Sequence, residues 1–511
     1  MIIAREMLHS GNWLMPILHG EPYLAKPPMM NWLIAASSSL FGELNEWTGR
    51  LPSVLLMLFT GISVYFLTGR WLKREGRLFA AIMTLSMLGI IKKGRAAEIE
   101  ALNIFVISSV LLVWINGYIS RWKPVALWGV ALSLVGVGFL SKGPQVFLFF
   151  YMTILAYLLL RKQISFFFSK GHGLGLALLL LILAAYSAVI LQWTTVDHYI
   201  QSWIGEGITK AEAEHSLSFL THLIEYPLEG IGSFMPCLMF LIPLLLYRDV
   251  RQGARAVFTN EAFVFSLIVI GANFPLYWLL PNARFRHFLP AGPFVAIAVA
   301  VVFEYYLTKM ETFSGLKIFF RRFLKISAIL TVLSAAAAAA VIIIRDITFS
   351  YTVFFMLAGI VFLGILVLGR SHSPGTTLIS VYVPVVTALI FLIHSYIEVQ
   401  YESRRENYPR NIAQEINLVL PDDAEIVYEL GYRRFLAVTC YINREVRQIN
   451  KFAELKRLNH GKGKICFIFD TRFLNSSSER DRNILLNEIR WKKIYSRYFK
   501  GSRGDIIMGT L

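Results

Sequence analysis

Apolar stretches separated by short charged loops make up most of this chain. A transmembrane helix needs about 20 mostly apolar residues to cross the hydrocarbon core of a membrane. Stretches near that length recur at residues 51–69, 78–93, 102–120, 125–141, 145–160, 174–193, 229–247, 262–281, 288–307, 326–344, 352–369 and 377–396. We therefore expect an all-α polytopic membrane bundle of about twelve transmembrane helices.

Composition agrees with this class of protein. Of 511 residues, 56% are hydrophobic and 16% are charged, which excludes an ordinary soluble enzyme. The net charge of +17 follows in part from basic loops that flank membrane spans, so anionic membrane lipids are the expected partner and nucleic acid is not. The three cysteines, Cys237, Cys440 and Cys466, are too scattered to form a metal-binding motif.

The distribution of Lys and Arg predicts the orientation of the spans. Short cytoplasmic loops collect basic residues, and one alternate set of loops does so, near residues 70–77, 121–123, 161–170, 248–255 and 309–325 and at Arg370. The basic residues of the opposite set fall in compact phrases: "AKPP" (25–28), "KKGRAAEIE" (92–100), "SKGPQ" (141–145) and "NARFRHFLP" (282–290). Ionisable groups at membrane depth are costly and usually functional, so four such phrases predict a site on the outer face. Anchoring at the membrane interface is the alternative for any single cation.

The two ends of the chain complete the predicted organisation. Residues 1–12 place Ile3 and Met7 on one side and Arg5 on another, as in a short interfacial helix. The charge density rises after residue 397, and the tail predicts a soluble α/β domain with strands at 424–430 and 464–470 and helices at 409–419, 451–459 and 478–489. We expect an extracytoplasmic loop with interfacial helices (1–50), a transmembrane bundle (51–396) and an extracytoplasmic α/β domain (397–511).

Several phrases together resemble one family. The segment "IAREMLHSGNWLMPILHGEPYLAKPPMMNWLIAASSSLFGELNEWTGRLPS" (3–53) is similar to the first extracytoplasmic loop of bacterial lipid-carrier-dependent glycosyltransferases of the aminoarabinose transferase and protein O-mannosyltransferase kind. These enzymes belong to the C-type glycosyltransferase superfamily. The likeness continues through "GRAAEIEALNIF", "GFLSKGP", "EHSLSFLTHLIEYPLEGIGSFMP" and "RFRHFLPAGP", and so covers most of residues 1–300.

The resemblance implies a reaction and a location. Members take a sugar from a polyprenyl phosphate in the outer leaflet of the bacterial inner membrane and pass it to an acceptor hydroxyl, usually without a nucleotide. The acceptor implied here is a glycolipid, lipid A, a polysaccharide or a protein, and no cofactor is implied. Such a transfer needs cations around the leaving phosphate and a carboxylate near the attacking hydroxyl.

Basic residues in the four phrases are the expected phosphate ligands. In the family the lysine of "EKPP" contacts the donor phosphate, and Lys26 holds that place; Pro27 and Pro28 stiffen the backbone that presents it. The further candidates are Arg95, Lys142, and Arg284 or Arg286. A guanidinium grips phosphate with two hydrogen bonds, although any of these cations could instead cap the C-terminus of a helix.

The acidic and metal-binding positions depart from the family pattern. Glu100 stands where the family commonly has Asp, and we expect it to orient the acceptor or to fix a helix, with a salt bridge to Lys93 or Arg95 as the alternative. The family's other acid would lie ahead of Met1. Ala25 replaces the Glu that, with a histidine from a later loop, holds a metal ion in aminoarabinose transferases. We therefore predict no bound metal, and His215 as a substrate-lining residue in place of a ligand.

These departures leave three hypotheses for function. The first is an active glycosyltransferase whose start is missing from the chain. The second is an incomplete or inactive paralogue that binds a polyprenyl-phosphate sugar without efficient turnover. The third, from another class, is a lipid or sugar transporter; the charged phrases cluster on one face rather than at mid-membrane, which counts against it.

Overall fold

The computed structural model describes the chain in several ranges. They are residues 1–197, 199–201, 216–281, 283–320, 322–323, 409–430, 436–449, 454, 465–470, 490–495 and 506–510. The described residues form two compact units. One unit combines those of Met1–Tyr23 with those of Ile393–Leu511, and the other holds those of Leu24–Leu392.

The larger unit is helical in its described part. Its helices are α2 (Met29–Phe41), α3 (Glu46–Leu67), α4 (Arg74–Ser86), α5 (Leu88–Gly94), α6 (Glu100–Ile119), α7 (Pro124–Lys142), α8 (Gln145–Leu160), α9 (Lys170–Ile190), α10 (Ser216–Ser233), α11 (Ile242–Leu246), α12 (Arg248–Gly253), α13 (Glu261–Leu279) and α14 (Gly292–Lys309). Short 3-10 helices occupy Ile164–Phe166, Cys237–Leu241, Ala254–Thr259, Phe285–His287 and Leu289–Ala291.

Six of the described helices are long and apolar enough to cross a membrane. They are Glu46–Leu67, Ile99–Ile119, Pro124–Lys142, Lys170–Ile190, Glu261–Leu279 and Leu289–Lys309, and each overlaps a predicted span. The chain is an integral membrane protein. A further pair, Phe219–Ser233 and Cys237–Leu246, is bent by 89° and overlaps the predicted span 229–247.

The prediction of twelve spans is not confirmed. The predicted span 145–160 is a helix of 16 residues, and 78–93 is divided into α4 and α5 because Met87 leaves the helical conformation, at φ −59° and ψ 131°. The predicted spans 326–344, 352–369 and 377–396 lie outside the described residues.

Local sequence explains where the helices near the predicted outer face begin and end. Asn45 caps α3 by accepting hydrogen bonds from the backbone N–H groups of Trp47 and Thr48. Gly143, at φ 78° and ψ −140°, ends α7 in a conformation that a residue with a β-carbon rarely adopts. Pro144 then caps α8, so the phrase "SKGPQ" is a tight reversal that holds Lys142 at a helix terminus.

Ion pairs and glycines hold the helices together elsewhere. At the opposite end of the bundle, the Glu261 carboxylate at the start of α13 accepts hydrogen bonds from Tyr157 and Arg161 at the end of α8. Helix α9 lies directly against α7, where a β-carbon on Gly175 would stand 2.7 Å from the carbonyl oxygen of Trp128. Such close approach of small residues is typical of helix packing in membranes.

The smaller unit contains a mixed sheet. Strands β3 (Ile426–Leu430), β4 (Glu445–Ile449), β5 (Cys466–Asp470), β6 (Arg490–Tyr495) and β7 (Ile506–Thr510) are ordered β4-β3-β5-β7-β6. The β3 pairings with β4 and β5 are parallel, and the pairings that involve β7 are antiparallel. Helix α15 (Pro409–Val419) buries Ile412 and Ile416 in a core that includes Val427 and Ile468.

The predicted elements of the tail match in part. The helix at 409–419 and the strands within 424–430 and 464–470 are present, whereas β4, β6 and β7 were not predicted. The predicted helices at 451–459 and 478–489 lie outside the described residues, apart from residue 454. The division of the chain at residues 50 and 397 stays a prediction.

The N-terminal segment belongs to the same unit as the sheet. Helix α1 (Ile2–Ser10) buries Ile3 and Met7, and it is followed by a hairpin of β1 (Ile17–Leu18) and β2 (Glu21–Pro22). The guanidinium of Arg5 donates hydrogen bonds to the carbonyl oxygens of Thr439, Cys440 and Ile442, at the end of the short helix α16 (Leu436–Thr439). The location of α1 at a membrane interface stays a prediction.

Candidate active site

A buried carboxylate and two cations come together at one end of the helical unit. Glu100 Oε1, in the first turn of α6, lies 3.5 Å from Nζ of Lys142 at the end of α7. The same oxygen lies 3.4 Å from Nε of Arg286, in the 3-10 turn that precedes α14. Three of the four charged phrases therefore meet at a single carboxylate.

The burial of these groups decides how strongly they interact. The side chains of Glu100 and Lys142 are each 5% exposed, and that of Arg286 is 32% exposed. Burying a charge is costly unless it is paired, and Glu100 is paired with both cations. One carboxylate and two cations leave the group with a surplus positive charge, which suits the binding of an anion.

Two residues that the sequence reasoning missed extend this group. Nζ of Lys142 lies 3.1 Å from Nδ1 of His287. Because an ammonium group only donates hydrogen bonds, Nδ1 is the acceptor and the ring proton of a neutral His287 is on Nε2. The side-chain amide of Gln145 donates a hydrogen bond to the carbonyl oxygen of His287. Their only signal in the sequence was their place in the phrases "RFRH" and "SKGPQ".

Lys26 lies close enough to this group to act on it electrostatically. Its charge, like that of Arg286, repels the ammonium group of Lys142. Lys26 is half-buried, Pro27 and Pro28 are buried, and Pro28 is the N-cap of α2. The lysine is therefore presented from a stretch that is fixed on its C-terminal side.

The other predicted arginines do not join the Glu100 group. Arg95 is exposed and lies near Arg50, and its pKa is lowered by burial of part of the side chain and by repulsion from Arg50. Arg284 is exposed, and within the described ranges its guanidinium has no ion pair. The ion pairs of Glu100 are with Lys142 and Arg286, whereas Lys93 pairs with Glu98 at 2.6 Å and acts on Glu100 from a longer distance.

The described residues contain no cluster of side chains that could bind a metal ion. No group of three His, Cys, Asp or Glu side chains comes together among those residues, and His215 lies outside them. A cavity of about 630 Å³ lies at the opposite end of the bundle, where its lining includes Lys73, Asn260 and Glu304. It contains none of the predicted site residues.

Comparison with known proteins tests the family resemblance. The family model described as dolichyl-phosphate-mannose-protein mannosyltransferase matches residues 25–191. An undecaprenyl phosphate-alpha-4-amino-4-deoxy-L-arabinose arabinosyl transferase from Pseudomonas savastanoi is 30% identical over 38% of this chain and 36% of its own length. The resemblance to lipid-carrier-dependent glycosyltransferases of the aminoarabinose transferase and protein mannosyltransferase type is confirmed.

Two further comparisons set the extent of the likeness. An uncharacterized protein from Aquifex aeolicus is 27% identical over 58% of this chain and 56% of its own length, so the chain spans about half or less of the curated relatives named here. The crystal structure of ArnT from Cupriavidus metallidurans bound to undecaprenyl phosphate has a TM-score of 0.67, with 15% identity, over 100% of this chain and 92% of that one. The fold of this chain is therefore similar to that of the ArnT structure.

The region that matches the glycosyltransferase family contains part of the candidate site. Lys26, Arg95, Glu100 and Lys142 fall within residues 25–191, whereas Arg286 lies beyond them. The ion pair between Glu100 and Arg286 joins these two parts of the chain.

Proposed function

We propose that this protein is a membrane glycosyltransferase that moves a sugar from a polyprenyl-phosphate donor to an extracytoplasmic acceptor. The observation that carries the proposal is the group formed by the buried Glu100 and Lys142 and the partly exposed Arg286, which has surplus positive charge at one end of an apolar bundle. An anionic headgroup attached to a prenyl chain needs cations at a membrane boundary and an apolar surface beside them. The ArnT crystal structure, which has the same fold, contains undecaprenyl phosphate.

The proposed roles follow from the charges of the residues. In the transfer, the bond between the sugar's anomeric carbon and the phosphate oxygen breaks, the oxygen of the acceptor hydroxyl bonds to that carbon, and the hydroxyl proton passes to the departing phosphate. Negative charge develops on the leaving phosphate, and Lys26, Lys142 and Arg286 are the cations that stabilise it. Arg95, Arg284 and His215 are proposed to contact the substrate outside this group.

Glu100 is proposed to orient the acceptor hydroxyl. Two cations stabilise its ionised form at 3.4 and 3.5 Å, so the carboxylate is available to accept a hydrogen bond from a hydroxyl group. The same pairs hold Lys142 and Arg286 at fixed positions. A carboxylate with both tasks is the proposed catalytic residue, and the acceptor is a glycolipid, lipid A, a polysaccharide or a protein.

The proposed location is the bacterial inner membrane with the site on its outer face. The loops at the opposite end of the bundle carry more Lys and Arg, which favours the cytoplasm for that end. The α/β domain is then extracytoplasmic.

Binding of the lipid carrier tests the proposal directly. We would measure the Kd of fluorescent undecaprenyl phosphate for the purified protein in nanodiscs, for Lys26→Ala, Lys142→Met and the control Lys123→Ala. Hydrogen bonds to charged groups contribute about 1.5–3 kcal/mol, so each site variant should bind at least tenfold more weakly, and the exposed Lys123 should have no effect. Wild-type affinity in both site variants would refute the proposal.

A transfer assay separates the active enzyme from a carrier-binding paralogue. The protein would be incubated with polyprenyl-phosphate sugars and envelope acceptors, and Lys26→Ala should abolish transfer while the protein stays inserted in the membrane. Carrier binding without transfer by the wild-type protein would support the paralogue instead.

A further inference from the structure

An asparagine in α6 is buried without the hydrogen bonds that its side chain can make. Asn103 is 1% exposed, and within the described ranges neither Oδ1 nor Nδ2 of its amide has a hydrogen-bond partner. A buried amide that makes no hydrogen bond is costly, above all in a membrane-spanning segment, where no water is at hand to replace the missing partner. Such a group calls for an explanation, and a ligand that pairs with it supplies one.

The other two asparagines in the described spans both donate hydrogen bonds to neighbouring helices. Asn116, near the opposite end of α6, donates to the carbonyl oxygen of Leu67 on α3 at 2.6 Å. Asn273 on α13 donates to the hydroxyl oxygen of Thr153 on α8 at 3.0 Å. Helix packing therefore accounts for these two residues, whereas it does not account for an asparagine at position 103.

Helix geometry places the Asn103 amide next to the candidate site. Asn103 follows Glu100 by three residues, so the two side chains lie on the same face of α6, with their β-carbons about 5–6 Å apart. Side chains on a helix lean toward its N-terminus, and that of Asn103 therefore leans toward Glu100. The ion pairs that Glu100 makes with described residues use Oε1 and not Oε2. The two residues thus place a carboxylate oxygen and an amide beside the cations that are proposed to bind the phosphate.

A sugar hydroxyl is the ligand group that suits this amide. Nδ2 donates hydrogen bonds and Oδ1 accepts them, and a hydroxyl group can do both, whereas an ammonium group only donates and would leave Nδ2 unpaired. The sugar of the carrier is bonded directly to the phosphate. A phosphate held by Lys142 and Arg286 therefore brings the sugar close to Asn103, which is about one helical turn from Glu100.

The charges around the site also favour a neutral sugar. Lys26, Lys142 and Arg286 are the cations, and Glu100 is the carboxylate among them. A phosphodiester adds one negative charge, so the cations still outnumber the anions when a carrier is bound. An ammonium group on the sugar would be repelled by this surplus of positive charge.

We infer that Asn103 is a substrate-binding residue that recognises a hydroxyl of the sugar on the carrier, and that this sugar is neutral rather than an amino sugar. The inference rests on the proposed function, because it takes the carrier phosphate to lie at Lys142 and Arg286. Glu100 and Asn103 are nearly closed to solvent in this structure, so the side chains that cover them move when the carrier binds. Arg286, at 32% exposure, is the most open member of the group.

Carrier binding by Asn103 variants tests the inference. Unlabelled undecaprenyl phosphate and its glucose, mannose, galactose and aminoarabinose derivatives would compete with fluorescent undecaprenyl phosphate in nanodiscs. Asn103→Leu removes the amide, and Asn103→Ala removes it without adding bulk. Each should raise the Kd of at least one hexose carrier about fivefold, because a sugar hydroxyl loses its partner. Neither should change the Kd of undecaprenyl phosphate, which has no sugar.

Stability distinguishes a ligand-binding role from a structural one. Because the Asn103 amide makes no hydrogen bond to the described residues, Asn103→Leu should not lower the midpoint of thermal unfolding. The matched control Asn116→Leu breaks hydrogen bonds to Leu67 and Leu112, so it should lower the midpoint and leave the Kd of every carrier unchanged. A lower midpoint in Asn103→Leu, with affinity lost equally for undecaprenyl phosphate and the hexose carriers, would show a structural role and refute the inference.

The wild-type protein tests the class of sugar. At least one hexose carrier should bind more tightly than the aminoarabinose carrier, by about fivefold or more, because only the amino sugar meets repulsion from the cations. Both ligands are phosphodiesters, so their phosphate groups have the same charge. Equal or tighter binding of the aminoarabinose carrier would overturn the assignment of a neutral sugar.

These outcomes separate the inference from the proposed function. If Lys26→Ala and Lys142→Met weaken the binding of undecaprenyl phosphate but neither Asn103 variant weakens the binding of a hexose carrier, the hydroxyl site at Asn103 is wrong and the phosphate site stands. If both lysine variants bind undecaprenyl phosphate like the wild type, the phosphate site is wrong and the inference fails with it.

Discussion

Replacing Glu100 by glutamine should destabilise the protein because it leaves a buried lysine without its carboxylate. The side chain of Lys142 is 5% exposed, and removing one partner of a buried pair costs about 3–5 kcal/mol. His287 still accepts a hydrogen bond from Lys142, and Arg286 is exposed enough to turn toward solvent. We therefore expect the free energy of unfolding to fall by an amount near the lower end of this range, about 3 kcal/mol.

Two further variants make the prediction specific to the pair. Lys142→Met leaves Glu100 paired with Arg286. It should therefore lower the free energy of unfolding by a smaller amount, about 1–2 kcal/mol. The double variant Glu100→Gln, Lys142→Met buries neither charge, so its stability should return to within about 1 kcal/mol of the wild type. All three variants should lose sugar transfer, because the proposed site has lost its carboxylate, a cation or both.

The free energy of unfolding would be measured by denaturant titration in mixed micelles and followed by circular dichroism. The four proteins form a double-mutant cycle, which isolates the coupling between the two side chains. A Glu100→Gln variant within about 0.5 kcal/mol of the wild type would show that the carboxylate is not buried against Lys142 as the structure has it. A double variant less stable than either single variant would refute the electrostatic explanation.

Three other predictions follow from separate contacts. Gly175→Leu should lower the free energy of unfolding by about 1–3 kcal/mol, because its β-carbon would stand 2.7 Å from the Trp128 carbonyl oxygen. The control Gly173→Leu should leave the free energy of unfolding unchanged, because nothing lies within 4 Å of a β-carbon at that position. Burial raises the pKa of the Glu6 carboxyl above 4.5, so the folded state holds this proton more tightly than the unfolded state. Glu6 should therefore make stability fall as pH rises from about 4.5 through its folded pKa, and Glu6→Gln should weaken that pH dependence in denaturant midpoints; an unchanged profile would contradict it. An alkaline phosphatase fused to the C-terminus should be active and a green fluorescent protein fused there should be dark, and the reverse result would invert the proposed orientation.

The sequence alone predicts the helices best where apolar runs are long. Runs of about 20 apolar residues have few ways to satisfy their backbone groups in a membrane other than a helix, and the six described spans overlap predicted ones. The prediction failed at 78–93, where the chain leaves the helix at Met87 although apolar residues continue on both sides of it. An apolar run does not indicate where packing against other helices interrupts it.

A search for apolar segments also found only some of the strands in the α/β domain. The apolar segments within 424–430 and 464–470 are found as β3 and β5, inside the sheet. The edge strands β4 and β6 have the sequences EVRQI and RWKKIY. Their charged residues interrupt the apolar pattern, so a search for apolar segments does not find them. Charged side chains are common on edge strands because they discourage pairing with other chains.

Local sequence indicates which residues are candidates for the site, and tertiary structure decides which of them are in contact. The residue types and their phrases gave Lys26, Arg95, Glu100, Lys142, and Arg284 or Arg286 as candidates. Which cations reach the carboxylate was not predictable, because Arg95 is five residues from Glu100 along the chain, whereas Lys142 and Arg286 are 42 and 186 residues away. Only the packing of α6, α7 and the turn before α14 decides those distances.

The sequence by itself thus determined the class of protein, most of the described helices and the charged phrases of the site. Each of these depends on residues close together in the chain, through hydrophobic periodicity, turn residues and local charge. The tertiary structure alone decided that Glu100 is buried between Lys142 and Arg286, and that His19 pairs with Glu429 across 410 positions. Such contacts are set by how distant elements pack, and a buried charge finds its partner only once they have done so.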